Sequence, residues 1–387
     1  MISGYNIIFL STIDWDHLWQ APQELMEQFS LKNNVLYVES TGSRTICLRD
    51  FNRVLRRVYN IYRSLLNKKE NKSIYSPLIL PFNNNICKMI NEFIVLRKVK
   101  KWLKNRPNVV IWVFLPNHIA IKLIENIKYN LLVYYCLADF SDVAINNLSI
   151  AESEEIIIKK SELIFLQNKN IIRNNYKKFK RKIEVMNPGF NMDKLLNSGQ
   201  KLSIPTELKK IPGPIIGYSG CMHKHVDTNL IEYLANENKD VSFIFIGPVQ
   251  IAISKLRKIP NIYFFKSQPY HKLAAFLYFI DAGIVPYKLN NFTKTVFPIK
   301  IYDYLSLLKP VISVKLPEVA SFKKMRNYDC MFISKNYEEF DRNIKQILSR
   351  KNLYYKKIII DKNDLWSNKF IKINESVNQM LMKRKNL

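Results

Sequence analysis

The sequence predicts two doubly wound α/β domains in tandem, on three observations. The chain has 387 residues, more than one hydrophobic core ordinarily serves, because single cores stop growing beyond about 250–300 residues. Short runs rich in Val, Ile, Tyr and Phe alternate with helix-length segments along the whole chain. That order builds a parallel sheet with helices over both faces. The alternation then breaks off at a polar, proline-bearing stretch and starts again.

In residues 1–199 the strand-like runs are Tyr5–Leu10, Asn34–Glu39, Val109–Phe114, Leu131–Cys136, Glu162–Leu166 and Ile183–Met186. They show little polar alternation, as expected of strands buried on both faces. Helical patterns lie between them, among them Gln23–Lys32 and Asn117–Ile127. Residues 200–213 read as a linker, with Pro205 and Pro212 inside it and Pro214 directly after. Over residues 214–364 strands are expected at Ile215–Ser219, Val241–Ile246, Asn261–Phe265, Ala282–Val285, Val311–Val314 and Met331–Ile333. Residues 365–387 form a last element, whose amphipathic helix Leu365–Lys383 is expected to pack back on the N-terminal domain. Open α/β sheets bind ligands outside the carboxyl ends of their strands. The loops after Leu10, Phe114, Cys136, Ser219, Ile246, Phe265 and Val285 are therefore the places to look.

Composition narrows the class. With 48% hydrophobic and 24% charged residues, both halves can bury a core. No apolar run reaches the roughly 18–20 residues of a spanning helix. The run Tyr5–Leu10 lacks a basic lead and reads as a first strand rather than a signal peptide. Five scattered cysteines, Cys47, Cys87, Cys136, Cys221 and Cys330, form no C-x-x-C pair and suit structural roles in a reducing cytoplasm. The net charge is +28, which attracts polyanions in general. Part of it is compositional drift toward Lys and Asn. The basic stretch over residues 49–72 is denser, with Leu55, Tyr59, Tyr62, Leu65 and Leu66 between its cations. It reads either as a peripheral contact with anionic membrane or as a solvated helix with one stripe on the core. The other cations are spread out and no nucleic-acid module is present, so nucleic acid is not an expected partner.

The most informative stretch is Val285–Val314, VPYKLNNFTKTVFPIKIYDYLSLLKPVISV. A strand ends at Pro286–Tyr287, a polar loop follows, and a helix is expected from Pro298 to just before Lys309–Pro310. Proline suits a first helical turn, where its missing N–H would be unpaired anyway. The free amides of such a turn favour anions. Lys300 in that turn makes sense beside a phosphate, and Asp303, three residues on, could project on the same side. An ordinary surface Lys–Asp pair is the competing reading. Gly217 and Gly220, G-x-x-G after a strand, allow close backbone approach to a phosphate or sugar, or form a plain turn. Asp14-x-Asp16 follows the first strand with no second acidic cluster, so no metal site is expected. Trp15, His17 and Trp19 are candidates for the acceptor side, since indole faces suit sugars, with burial as the alternative. Asp139 and His118 stand after strands and could orient an acceptor hydroxyl.

The stretch Pro298–Val311 resembles the donor-site signature P-x-K-x-Y-E-Y-L-A-x-G-K-P-V-V of GT-B glycosyltransferases in the retaining, glycogen-synthase-like group 1 superfamily. The likeness is greatest to its bacterial surface-polysaccharide branch. The matching residues are Pro298, Lys300, Tyr302, Asp303, Tyr304, Leu305, Lys309, Pro310 and Val311. Asp303 stands for the family's ribose-binding glutamate, and Thr295 for its other acidic residue. Ser306 and Leu308 occupy the small and glycine positions, so the turn before the next strand is expected to be built differently. PIIGYSG, SFIFIGP, NIYFFKSQPYHKL, FLYFIDAGIVPY, WQAPQEL, VLYVE, VYYCLAD and NPG are similar to further family segments in the family's order.

The resemblance implies two Rossmann-like domains facing across a cleft, in a glycosyltransferase with retention and without metal or cofactor. A nucleotide-diphosphate sugar would be co-substrate and a glycan or lipid-linked molecule the acceptor, in the cytoplasm or at the inner face of the plasma membrane. It implies a donor site of Gly217, Gly220, Pro248, Tyr287, Thr295, Pro298, Lys300, Tyr302 and Asp303. Lys300 and Asp139 are the catalytic candidates, and Trp15, His17, Trp19 and His118 the acceptor-side ones. A nucleotide-sugar epimerase of the same fold and a non-catalytic scaffold are the alternatives.

Overall fold

The computed structural model describes residues 1–15, 19–41, 72–80, 84–137, 147–171, 183–190, 203–350 and 361–385. The chain divides into two compact units, Met1–Asn187 with Lys369–Leu387, and Pro188–Asn368. The division falls upstream of the stretch 200–213. Within that stretch Leu208 is buried in the core of the second unit, so its described residues belong to that unit.

Unit 1 carries a parallel sheet whose described strands are β1 Asn6–Leu10, β2 Asn34–Val38, β3 Lys72–Tyr75, β4 Val109–Val113, β5 Leu131–Cys136, β6 Leu163–Leu166 and β7 Ile183–Val185. Their spatial order is β3-β2-β1-β4-β5-β6-β7. Helices α1 Ala21–Ser30, α2 Asn85–Leu103, α3 His118–Asn126 and α4 Asn147–Lys160 lie between strands in the chain. The runs NIIFL, VVIWV and LLVYYC are buried at every residue, which is why their sequences show no alternation. The rings of Phe9 on β1, Trp112 on β4 and Phe165 on β6 stack in series at 5.6 and 5.8 Å.

The final helix, α11 Trp366–Lys385, contributes to unit 1 from Lys369 onward. Phe370 meets Phe29 of α1 edge-on at 4.8 Å. Ser376 donates to Glu184, and Arg384 donates to the Asn130 carbonyl and to Glu162.

Strand β3 was not anticipated. Its four residues, KSIY, are too few and too polar to stand out, and among the described strands it pairs with β2 alone. The rest of the basic stretch, residues 49–71, lies outside the described residues.

Unit 2 repeats the plan with β8 Ile215–Ser219, β9 Ser242–Ile246, β10 Ile262–Phe265, β11 Ala282–Val285, β12 Val311–Val314 and β13 Met331–Ser334. These run parallel in the order β10-β9-β8-β11-β12-β13. The helices are α5 Thr228–Glu237, α6 Tyr270–Tyr278, α7 Asn291–Lys294, α8 Lys300–Ser306, α9 Pro317–Arg326 and α10 Tyr337–Ser349. Asp227 caps α5 by accepting from the Asn229 and Leu230 amides, and its other oxygen accepts from the Tyr337 hydroxyl.

Helix α8 ends differently from the expectation. Leu308, at the position where the resembling family has glycine, takes φ +58, the left-handed conformation that glycine adopts without strain. The turn is thus kept and the side chain bears the cost. Leu308→Gly is expected to raise stability by about 0.5–1 kcal/mol, read by urea unfolding. The leucine is 42% exposed, so little packing is lost with it.

Candidate functional site

In each sheet the strand order reverses direction beside its first strand, between β1 and β4 in unit 1 and between β8 and β11 in unit 2. Ligands of doubly wound sheets bind outside the carboxyl ends of strands at such a switch point. The residues at the two switch points decide what each can hold.

In unit 2, β8 ends at Ser219 and runs into Gly220, while β11 ends at Val285 and runs through Pro286 to Tyr287. Lys300, the first residue of α8, reaches both ends. Its ammonium donates to the Tyr287 hydroxyl at 2.6 Å and the Tyr218 hydroxyl at 3.3 Å. It also lies 4.3 and 4.7 Å from the centroids of those two rings. Tyr218 donates its own proton to the Cys221 carbonyl at 2.9 Å. Burial, with Tyr287 nearby, pushes the Tyr218 phenol well above its usual range, so it stays neutral. Both described hydrogen-bond partners of Lys300 are phenols, which orient the ammonium without carrying a charge of their own.

Backbone glycines clear the space in front of that charge. A Cβ on Gly220 would stand 3.2 Å from the Lys300 nitrogen, and Gly220 has φ +131. Gly247, directly after β9, has φ +146, and a Cβ there would lie 2.3 Å from the Gly220 carbonyl oxygen. The loops after β8 and β9 are zipped together. Gly220 N–H donates to the Ile246 carbonyl, Met222 N–H to that of Pro248, and Gln250 N–H to that of Met222. Tyr304 anchors α8 to β8 by accepting from the Ser219 amide at 2.9 Å. The ring lies where a side chain on Gly283 of β11 would be, 2.3 Å from its Cβ position.

The remaining donor-side candidates divide. Gly217 lies within β8, where a Cβ would meet Ile280 at 2.8 Å, so its smallness serves packing. Pro248 holds the zipped loops. Helix α8 begins at Lys300 rather than Pro298. Pro298 is buried just before it, and its carbonyl and that of Ile299 accept from Ile301 and Tyr302 in tight i to i+3 bonds. Thr295 ends α7, a turn of helix inside the expected loop, and donates its hydroxyl to the Phe292 carbonyl at 2.8 Å. Tyr302 is buried against Phe190, Phe297 and Phe322 at 4.0–5.5 Å, in the core rather than at the switch point. Asp303 is half-buried one turn after Lys300, and its charge helps raise the Tyr304 phenol, which burial raises most.

Sequence reasoning passed over Tyr218, His223 and His225. His223 lies 5.6 Å from the Tyr287 ring, and His225 stacks on Phe292 at 4.5 Å while meeting the Asn290 amide at 3.1 Å. Their signal was position: Tyr218 stands near the end of β8, and His223 and His225 follow Gly220 in the segment after it.

At the unit 1 switch point a shallow recess is lined by Ser11, Glu39, Thr41 and Asn117 with neighbouring apolar residues. The Trp15 amide donates to Glu39 at 2.8 Å, and its ring meets Trp19 and Tyr37 edge-on at 5.3 and 5.2 Å. The Trp19 indole donates to Glu24. Ser11 shares a 2.7 Å hydrogen bond with Tyr37, whose phenol is raised far above its usual range by burial. Asn117 caps α3 through the Ala120 amide and donates to Thr41 at 2.7 Å. His118 bonds Glu92 of α2 at 2.9 Å. The candidates His17 and Asp139, and Asp16 of the D-x-D pair, lie outside the described residues.

Comparison with known proteins places these features in a wider set. No protein-family model matches the chain. It is 26% identical over 121 residues to TuaH of Bacillus subtilis (strain 168), named as a teichuronic acid biosynthesis glycosyltransferase. That alignment spans 30% of this chain and 30% of TuaH. Among solved structures, Anabaena Alr3699/HepE in complex with UDP and glucose aligns over 96% of this chain and 99% of its own, with TM-score 0.65 and 11% identity. A glycosyltransferase from Rickettsia africae ESF-5 aligns over 98% and 99%, with TM-score 0.65 and 13% identity. Over nearly its whole length, then, this chain has the GT-B fold of two parallel-sheet α/β domains that solved glycosyltransferases share.

Proposed function

We propose that this protein is a glycosyltransferase that moves a sugar from a nucleotide-diphosphate sugar to a glycan or lipid-linked acceptor in cell-surface polysaccharide synthesis. The observation that carries the reading is the Lys300 ammonium, held by the Tyr218 and Tyr287 hydroxyls beside Gly220 at the β8–β11 switch point. The family resemblance of Pro298–Val311, the teichuronic acid role named for TuaH and the UDP and glucose named for the HepE structure support it.

In this reading unit 2 binds the donor. Gly220 and Gly247 let the diphosphate approach the backbone, Lys300 meets its charge, and Asp303 accepts from the ribose hydroxyls. As the bond from the anomeric carbon to phosphate breaks, negative charge grows on the leaving diphosphate, and a cation already in place lowers the barrier. The sugar becomes oxocarbenium-like and is attacked by an acceptor hydroxyl, whose proton passes to the departing diphosphate oxygen. We assign the acceptor to unit 1, to Trp15, His17, Trp19 and His118, with Asp139 orienting the hydroxyl. Retention of configuration, with no metal or further cofactor, follows from the resemblance. The place of work is the cytoplasm, at the inner face of the plasma membrane.

The test is a thermal-shift panel of UDP-, GDP-, dTDP- and ADP-sugars. One donor is expected to stabilise the protein by about 2.7 kcal/mol at a hundredfold its dissociation constant. Transfer to an acceptor, rather than isomerisation of the donor alone, separates the transferase from an epimerase. A panel in which no donor shifts the unfolding temperature would sink the reading.

A further inference from the structure

Helix α8, which carries Lys300, is seven residues long. A helix so short is not stable alone, so its packing decides where Lys300 points. Tyr302 stands two positions after Lys300, about 200° further round the helix axis. It is buried in the core, while Lys300 reaches Tyr218 and Tyr287 at the switch point. Whatever holds Tyr302 therefore sets the rotation of the helix and with it the direction of the amine.

Tyr302 is held where the chain enters and leaves unit 2, which begins at Pro188 and ends at Asn368. These two ends run side by side. Phe190 N–H donates to the Asp364 carbonyl at 2.7 Å, and Trp366 N–H to the Phe190 carbonyl at 2.8 Å, which bridges Phe190 to Leu365 in parallel. The Phe190 ring is buried and lies 4.0 Å from the ring of Tyr302. Tyr302 also meets Phe297 at 5.0 Å and Phe322 of α9 at 5.5 Å. One turn beyond Phe322, Arg326 grips the outgoing end. Its Nε and Nη2 donate to the two carboxylate oxygens of Asp364 at 2.6 and 2.7 Å, and its Nη1 pairs with Asp361 at 2.7 Å. Such a fork fixes direction as well as distance. Phe322 and Arg326, four apart, lie on one side of α9. One helix thus holds both Tyr302 and the segment bonded to Phe190.

We propose that Phe190 and Arg326 are positioning residues for Lys300. Neither belongs to the donor or acceptor residues assigned above. Phe190 braces Tyr302 directly, and Arg326 fixes the Asp364 segment whose carbonyl and following amide hold Phe190 in place. A displacement at the two chain ends passes through Tyr302 into a rotation of α8, and that rotation carries the amine away from the Tyr218 and Tyr287 hydroxyls. The positioning stands on the geometry of unit 2. Its catalytic consequence rests on the transferase reading.

The experiment compares Phe190→Leu and Arg326→Lys in the full chain with Phe340→Leu as control. Phe340 of α10 is fully buried and lies outside the described ring contacts of Tyr302. Circular dichroism and urea unfolding establish that each variant folds. Both phenylalanine variants lose some stability, as core substitutions do. The full chain is then acylated with a small activated ester, and the rate at Lys300 is followed by peptide mass spectrometry. Loosened from its two phenols, the amine is expected to react severalfold faster in Phe190→Leu and Arg326→Lys, and at the wild-type rate in Phe340→Leu. With the donor found by thermal shift, kcat should fall about tenfold to a hundredfold in the first two variants, with a smaller change in KM. Adding Phe190→Leu to Lys300→Ala should slow transfer no further, because the residue acts through the amine. The inference is overturned if Lys300 is acylated at the wild-type rate in both variants, or if the control accelerates as much. It is overturned equally if the loss from Phe190→Leu persists in full without Lys300. A wild type that transfers no sugar refutes the transferase reading instead, and the acylation rates still decide the positioning.

Discussion

Lys300→Ala is expected to lower turnover by about a hundred- to a thousandfold while the protein stays folded. The magnitude is that of removing one preorganised group aimed at charge that develops in a transition state. Folding should survive because among the described residues the ammonium bonds only two phenols. Tyr218 keeps its bond to the Cys221 carbonyl without it. Initial rates with the donor found by thermal shift, alongside circular dichroism, provide the measurement. A variant that transfers sugar at the wild-type rate would remove Lys300 from the reaction. Restoring the cation as arginine is not expected to rescue fully, because the guanidinium is larger and planar and the Gly220 backbone stands close to the amine.

The largest loss of stability is expected from Gly247→Ala. Two costs coincide at this position. A φ of +146 is open to glycine and strained for any side chain, and the new methyl would lie 2.3 Å from the Gly220 carbonyl oxygen. That oxygen belongs to backbone held by the bonds between the loops after β8 and β9, so it cannot swing aside as a side chain would. Strain of this kind costs about 1–3 kcal/mol and overpacking about as much again. A total loss of about 2–5 kcal/mol in urea unfolding is therefore expected. Gly4→Ala is the control, with φ +76 but no atom within 4 Å, and should cost only about 1 kcal/mol. Equal losses at the two glycines would refute the clash. Because Gly247 bears on Gly220, donor affinity should fall in the Gly247 variant even where the protein remains folded.

The sheets were legible because their strands are buried on both faces. Runs such as NIIFL, VVIWV and LLVYYC have no polar alternation to confuse them with surface structure. Strand β3 was hidden because KSIY is short and sits at an edge. At the site, Lys300 could be read from its place after a proline and before an apolar helix. Of the two residues that hold it, Tyr287 was named through the family resemblance, whereas Tyr218, 82 positions away, was not. Tyr302 looked like a site residue from the motif alone. Its burial against Phe190 and Phe322 depends on contacts that local sequence does not display. The left-handed turn at Leu308 was missed for the opposite reason: a leucine gives no hint of a conformation that glycine advertises.

The interrupted course of unit 1 bears on how the chain matures during synthesis. Residues Pro188–Asn368 form an unbroken segment, whereas unit 1 needs both Met1–Asn187 and Lys369–Leu387. The aromatic layer around Phe29 receives Phe370 only from that last piece. On a ribosome, unit 1 therefore cannot complete its contacts until residues 369–387 have emerged, after the whole of unit 2. A fragment ending near Asn187 would lack Phe370 at that layer, while one running from Pro188 to Asn368 would contain all the described strands of its own sheet.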